Sequence, residues 1–402
     1  MINDKKIRAY ALKNAIAHEG KAQSGAVISS LFHEGLKKED VKKYIKDINK
    51  VLSEINKLSI GEQEKEFERL EKLTSERETR EGLEELPGAK EGKVIMRFRP
   101  APSGPLHIGN VLGAGLPNSL YAKRYHGKFY VIIDDTNPEE VLADSYDSIK
   151  KDCDWILGNV YKYINSSDRM DIYYKYAEAL IKKDEAYVCT CPSERFKKYS
   201  EALKECPCRK NSIEQNTERW KKMMDKKGFK EGDAVLRFKS SMQNPNPAMR
   251  DFPLARINLK KHPKQGNKYR VWPLMNLVVA VDDMELNMTH IIRGKDHRDN
   301  AERQKMIFNV FGKKFPWTFF IGRIKFADLI LSKRKINAAI KSGEFSGAED
   351  ARLPTIASLR KRGYKPEAFA KFVEQRGLTE VDKVMDSKDF FMVIDNFSKK
   401  QL

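Results

Sequence analysis

Apolar residues recur at helical spacing through the first part of the chain. Ala9, Leu12 and Ile16 share one face, as do Val27, Ile28 and Leu31. After Glu39 and Asp40, the positions Tyr44, Ile48, Val51, Leu52 and Ile55 line a third helix. A fourth, from about Gly61 to Arg80, is mostly charged. Leu86-Pro87-Gly88 through Gly92 breaks the pattern and marks a domain boundary, so residues 1–90 are expected to be a helical domain. Beyond it the period shortens. Val94–Phe98 and Phe129–Ile133 read as strands, and between them a Pro-rich stretch runs into a helix after His107. The second strand ends in Asp134-Asp135. Strand, loop, helix, strand is half of a mononucleotide-binding α/β unit. Ligands in such sheets sit beyond the carboxyl ends of the strands.

The pattern continues with a helix opened by Glu139 and Glu140 that carries Tyr146, Ile149 and Ile156, and another over Met170–Lys183. Residues 93–183 thus form the first half of the α/β domain, and 184–255 an insertion. Residues 256–325 form the second half, with a helix over Leu274–Val281 ending at Asp282-Asp283, a strand over Met288–Ile292, a helix over 299–311 and a strand over Trp317–Ile321. Residues 326–402 are expected to be helical with basic faces. Phe390–Leu402 has no closing element, which is expected of a fragment of a longer protein.

Charge narrows the partner. Lys+Arg is 76 against Asp+Glu 57, a formal +19 in 402 residues, which favours a polyanion such as nucleic acid. No apolar run approaches a membrane span and Met1–Tyr10 has no signal core, so a cytoplasmic protein without membrane contact is expected. Five cysteines in this length are not a disulfide scaffold. Four are clustered as Cys189-Thr190-Cys191 and Cys206-Pro207-Cys208. Two C-x-C hooks can set four thiolates around one zinc ion. Such a site is structural, because no coordination position stays open.

Two further segments suit anions. Arg293-Gly294-Lys295 follows a strand, and Ile330-Leu331-Ser332-Lys333-Arg334-Lys335 sets a serine among basic residues in a loop. Together with the first loop these segments resemble a known family. His107-Ile108-Gly109-Asn110 resembles the HIGH signature of class I aminoacyl-tRNA synthetases, and Ile330–Arg334 resembles their KMSKS signature. Arg97-Phe98-Arg99-Pro100-Ala101-Pro102-Ser103-Gly104 looks like the opening of the glutamyl and glutaminyl enzymes. Asp134-Asp135-Thr136-Asn137-Pro138 and Asp350–Thr355 resemble segments of the archaeal and eukaryotic branch. The chain departs from the pattern at Asn110, where histidine is usual, at Ile330 for lysine, at Ala101 for serine and at Met275 for tyrosine.

The resemblance implies a Rossmann-like class I synthetase catalytic domain with a zinc-binding insertion, a helical N-terminal domain and a helical C-terminal stem-contact region. It implies ATP-dependent joining of L-glutamate to tRNA-Glu through a glutamyl-adenylate, with magnesium accompanying ATP. His107, Asn110 and Lys333 would be catalytic, and Gly109, Ser332, Lys333 and Arg334 would hold the nucleotide. Arg97, Asp134, Arg293, Met275 and Asn276 would bind the amino acid, and Cys189, Cys191, Cys206 and Cys208 the metal. The insertion would grip the acceptor end of tRNA, and anticodon-reading barrels would lie beyond residue 402. A monomer is expected. Arg293 stands where the glutaminyl enzymes carry a cysteine. Two arginines suit the two carboxylates of glutamate, whereas glutamine would leave one guanidinium poorly paired. The alternatives are an enzyme that also glutamylates tRNA-Gln, a glutaminyl-tRNA synthetase and an inactive tRNA-binding paralogue.

Overall fold

A computed structural model describes residues 2–75 and 82–399. The chain divides into two compact units, Met1–Thr79 and Arg80–Leu402. The first is built from α1 (Asp4–Ala17), α2 (Ser24–His33), α3 (Val41–Ile55) and α4 (Ile60–Leu70). Ile7, Leu12, Leu31, Ile48 and Ile55 fill its core; Leu12, Leu31, Ile48 and Ile55 lie on the faces read from the helical spacing, whereas Ile7 was not among those positions and Ile16 lies outside the core. Ser59 and Glu62 cap α4 reciprocally. Arg8 bridges Glu54 at 2.7 Å and also pairs with Glu66, tying α1 to α3 and α4. The fourth helix stops at Leu70 instead of running to Arg80, and residues 76–80 of that expectation lie outside the described residues.

The second unit opens with β1 (Ile95–Phe98). The helix after His107 comes in three joined pieces: α5 (Ile108–Asn110), a π-helical segment Val111–Gly115, and α6 (Leu116–Arg124). Then follow β2 (Lys128–Ile133), α7 (Ser145–Ile156), β3 (Lys162–Asn165) and α8 (Met170–Lys182). Strands β1, β2 and β3 are parallel, with Arg97 opposite Tyr130. Helix α7 begins at Ser145, so Glu139 and Glu140 do not open it. They sit in the turns before it, where Glu139 bonds Asn258.

The inserted segment supplies β4 (Ala186–Cys189), α9 (Ser193–Glu201), α10 (Ile213–Met224), β5 (Val235–Phe238), β6 (Pro253–Ile257) and β7 (Val271–Pro273). The four strands form one antiparallel sheet in sequence order. That sheet continues to Pro273, past the boundary expected at residue 255. The parallel fold resumes with α11 (Met275–Glu285), β8 (His290–Gly294), α12 (Arg298–Val310) and β9 (Trp317–Ile321). Strand β9 pairs parallel to β8. Thr289 N–H donates to the Ile95 carbonyl at 3.0 Å, and Ile95 N–H donates to Thr289 Oγ1 at 2.9 Å. These bonds set β8 beside β1 and give the spatial order β3-β2-β1-β8-β9. The order reverses between β1 and β8, which makes their carboxyl ends the switch point.

The chain continues as β10 (Ile324–Phe326), α13 (Lys333–Lys341), α14 (Ile356–Lys361), α15 (Pro366–Arg376), β11 (Lys383–Met385) and α16 (Ser387–Lys399). This region is not all helical as expected, because β10 and β11 pair in parallel across a connection that carries α13, α14 and α15. Residues Ser387–Lys399, part of the stretch expected to be helical, form α16, whose Phe390 is fully buried. No helix among the described residues is long and apolar enough to cross a membrane.

One buried side chain fixes β8 against α6. Asn118 Nδ2 donates to the Ile292 carbonyl at 2.7 Å, and Asn118 Oδ1 accepts from Ile292 N–H at 3.0 Å. Phe129, fully buried on β2, anchors the core that joins the sheet to the C-terminal helices. Phe129→Ala removes that anchor and is expected to cost about 3–5 kcal/mol. A denaturant titration of the folded chain reads this as a lower midpoint.

Candidate active site

Polar residues converge at the carboxyl ends of β1 and β8. Arg97, near the end of β1, is buried and donates Nη2 to Asp283 Oδ2 at 2.8 Å, with Nε on the other oxygen. Arg99, two residues on, donates Nη1 to Asp282 Oδ2 at 2.6 Å and Nη2 to Ser166 Oγ at 3.0 Å. The same guanidinium lies 3.5 Å from Asp134 Oδ1. Arg169 Nε donates to Asp282 Oδ1 at 2.8 Å. Burial opposes the charge on Arg99, but Asp134 and Asp282 outweigh it and hold its pKa above the usual value.

Arg293, near the end of β8, differs from the other three. It is buried, and Nη1 donates to the neutral Gln304 Oε1 at 2.8 Å. Gln304 Nε2 in turn donates to Asn276 Oδ1 at 3.3 Å. Among the described residues Arg293 makes no ion pair. Burial, then the positive field of Arg97, push its pKa down to about 9. A buried cation without a counter-ion is costly, and a ligand carboxylate would relieve that cost.

Arg97 and Arg293 were expected to act as equals. The structure separates them: Arg97 already carries a bidentate carboxylate, and Arg293 does not. Asp282 and Asp283 were read as the end of a helix. They lie inside α11 and are buried, so their charges face the arginines instead of solvent. Arg99, Asp282, Asp283 and Gln304 were not among the expected site residues. The one sequence signal for them was a pair of acids in an otherwise apolar helical stretch.

The two signature loops meet on the neighbouring side of β1. Ile108 N–H donates to the Pro354 carbonyl at 3.0 Å, and Ile356 N–H to the Leu106 carbonyl at 2.9 Å. Lys333 Nζ donates to the Ala101 carbonyl at 2.7 Å, and Asn337 Nδ2 to the Ser103 carbonyl at 2.8 Å. Two glycines permit this approach. Gly104 has φ +139°, and a Cβ there would lie 2.7 Å from the Asn337 amide. At Gly109 a Cβ would come within 3.1 Å of the His107 ring and 3.3 Å of Leu331. Lys333 is the first residue of α13, and Ser332 caps that helix by accepting from Lys335 N–H at 3.5 Å. A helix start with a lysine suits an anion. Burial pushes Lys333 down to about 8. Arg334 is exposed, and Asn110 Oδ1 accepts from His107 N–H at 3.2 Å.

The four clustered cysteines come together as well. Their sulfurs all lie within 4.8 Å of one another, with Cys189 to Cys206 and Cys191 to Cys208 each at 3.8 Å. A tetrahedron of zinc–thiolate bonds of about 2.3 Å has edges of about 3.8 Å, so the donor set fits such an ion. Tyr187 OH, 2.8 Å from Asp251 Oδ2, also faces Cys206 Sγ at 3.5 Å. Asp251 in turn pairs with Arg209, next to Cys208.

His107 supplies a titration test of the loop geometry. Its ring is buried, and Nδ1 has no hydrogen-bond partner among the described residues. Burial, then the charge of Lys333, push its pKa down to about 4 from an ordinary 6.5. Between these values the unfolded chain takes the proton and the folded chain does not. This contribution to stability is therefore full above pH 6.5 and is lost as pH falls toward 4. His107→Asn is expected to flatten that part of the stability–pH curve, by up to about 3 kcal/mol. Denaturant midpoints from pH 4 to 7 check it.

Comparison with known proteins agrees with this geometry. A family model described as tRNA synthetases class I (E and Q), catalytic domain, matches residues 93–399. The glutamate–tRNA ligase of Pyrococcus furiosus is 43% identical over 383 residues, covering 93% of this chain and 67% of the relative. That of Methanocaldococcus jannaschii is 41% identical over 380 residues, covering 94% and 68%. The chain thus spans about two thirds of the length of the curated relatives it matches, 66% in the case of the Thermococcus kodakarensis protein. The crystal structure of a glutamate tRNA ligase from Elizabethkingia meningosepticum is similar in fold, with a TM-score of 0.54 at 20% identity over 77% of this chain and 69% of that one. The signature loops, the switch-point arginines and these matches lead to one assignment: the chain belongs to the class I tRNA synthetases of the glutamate and glutamine group, in the glutamate–tRNA ligase family.

Proposed function

We propose that the chain carries the catalytic domain that activates glutamate with ATP and transfers it to tRNA-Glu. The observation that supports this reading best is Arg293, a buried guanidinium whose partner is a neutral amide. Four arginines in the site, Arg97, Arg99, Arg169 and Arg293, face three carboxylates, Asp134, Asp282 and Asp283. A substrate with one more carboxylate than ammonium completes the balance. Glutamate has that charge and glutamine does not.

In this reading Arg293 takes one substrate carboxylate, and the free Nη1 edge of Arg97 assists. Asp134, partly exposed, accepts from the substrate ammonium. Asn276 steadies Gln304 behind Arg293, and Met275 borders the pocket. The reacting carboxylate is ionised at neutral pH and needs no general base. It attacks the α-phosphorus of ATP, and pyrophosphate leaves. Catalysis then rests on positioning and charge stabilisation. His107 Nδ1, buried and unpartnered, is available to a phosphate oxygen. Gly109 keeps the backbone clear beside it, with Asn110 holding the turn. Lys333 exchanges the Ala101 carbonyl for the leaving phosphates, with Ser332 and Arg334 flanking it. Magnesium bound with ATP would neutralise phosphate charge. The ribose hydroxyl at the 3′ end of tRNA then takes the glutamyl group and AMP leaves. The inserted antiparallel sheet meets the acceptor end, and zinc on Cys189, Cys191, Cys206 and Cys208 holds its shape.

Pyrophosphate exchange into ATP, with total tRNA present, tests the reading. Exchange driven by glutamate and not by glutamine is expected. Exchange with glutamine alone overturns the charge argument. Arg293→Ala is expected to raise the KM for glutamate about 10- to 100-fold and leave that for ATP nearly unchanged. Metal analysis is expected to find about one zinc per chain. Replacing all four cysteines without loss of folding would end the zinc assignment.

A further inference from the structure

The loop that carries Asp134 leaves the sheet at β2 and is held from the inserted sheet. Three side chains of the β6–β7 hairpin reach it. Arg256 Nη2 donates to Asn137 Oδ1 at 3.1 Å, and Asn258 Nδ2 donates to Glu139 Oε1 at 3.1 Å. The third, His262, is fully buried and lies 2.9 Å from the Asp135 carbonyl through Nε2. Its other nitrogen, Nδ1, accepts two backbone N–H groups, from Lys264 at 3.1 Å and Gln265 at 3.0 Å. An imidazole nitrogen that accepts twice carries no proton. The proton is therefore on Nε2 and is donated to Asp135. The ring stacks on Trp272 with centroids 5.0 Å apart, which fixes its plane. The hairpin itself is closed by paired backbone bonds between His262 and Gly266 at 3.0 and 2.8 Å.

We infer that His262 is a positioning residue for the amino-acid site: its Nε2–H latches the Asp135 carbonyl and so sets the carboxylate of Asp134, one residue earlier. This rests on the role given to Asp134 in the proposed function. The Asp135 side chain is not the latch: its Oδ2 lies 3.8 Å from His262 Nε2, beyond hydrogen-bond reach, and it is engaged elsewhere. It accepts from Tyr146 OH, Ser167 N–H and Ser167 Oγ, each at 2.7 Å. Asp134 N–H donates to the Pro100 carbonyl at 3.0 Å. The two peptides that flank the Asp134–Asp135 step are thus held, the one before Asp134 by the first loop and the one after Asp135 by His262.

The two nitrogens of His262 do different work, so two substitutions separate latch from turn. Asn in its place presents an oxygen where Nδ1 is, and keeps the hairpin turn. It cannot reach Asp135. Gln presents an N–H where Nε2 is, and keeps the latch. In His262→Asn, backbone amides of residues 134–139 are expected to exchange with deuterium about tenfold faster, with the melting temperature little changed. The KM for glutamate is expected to rise about tenfold while that for ATP stays within about twofold. His262→Gln is expected to stay near the unsubstituted chain in both. Equal protection of the loop in all three proteins, or parallel loss in both variants, overturns the latch and leaves His262 a structural residue. A joint rise of both KM values does the same. Deuterium exchange decides the latch without turnover, so a chain inactive on glutamate would count against the proposed function alone.

Discussion

The structure depends on gathering four guanidinium groups and three carboxylates where β1 and β8 end, with Arg97, Arg293, Asp282 and Asp283 buried. Taking such charges out of water is expensive, and only close pairing repays it. The pairing dictates much of the surroundings. Asp283 must face Arg97, and Asp282 must face both Arg99 and Arg169, so α11 can pack in one rotation only. Tyr173 on α8 adds a hydroxyl to Asp282 at 2.9 Å, which draws that helix to the same point. Arg293 is left as the cation without an acid. The fold tolerates it because β8 is held independently, by Asn118 on one side and β9 on the other.

Close approach of backbones governs the second half of the site. The segment after β1 offers its carbonyls to the Lys333 and Asn337 side chains of α13, and trades backbone hydrogen bonds with Pro354 and Ile356 at the start of α14. Small residues are therefore required at the crossing, which is why Gly104 and Gly109 stand there. Lys333 spends its charge on a neutral carbonyl while burial weakens its hold on the proton. A cation held this loosely can be given up to phosphate at little cost. The same logic distinguishes His107, whose buried Nδ1 has no partner among the described residues.

The inserted sheet serves the site from outside. Its cysteine end has a small apolar core of its own, around Tyr187, Phe196 and Met242, too little to hold two loops in register. A metal ion held by the four sulfurs, which lie at tetrahedral spacing, would answer that deficit through its binding energy. The opposite end, the β6–β7 hairpin, reaches back to the loop after β2 and joins the insertion to residues 135–139 through polar contacts.

Much was written in local patterns. Helical spacing gave the core faces of α1, α2 and α3, and short apolar runs gave β1, β2 and β9, because each element buries its own repeat. The HIGH-like and KMSKS-like loops, the C-x-C hooks and the contrast between Arg293 and a cysteine were legible as residue strings. Other features were not local. The strands β3, β10 and β11 are short and only partly apolar, and exist because a partner strand lies beside them. Helix α7 starts at Ser145, and Glu139, one of the two preceding acids, is engaged by the hairpin instead. Asp282 and Asp283 look like a polar helix end in one dimension, and only folding brings arginines from far along the chain against them. Sequence by itself determined which residue types could bind glutamate, nucleotide and metal. Tertiary structure decided which arginine keeps its own carboxylate and which stays open to a ligand, since that turns on burial and on partners nearly two hundred residues away.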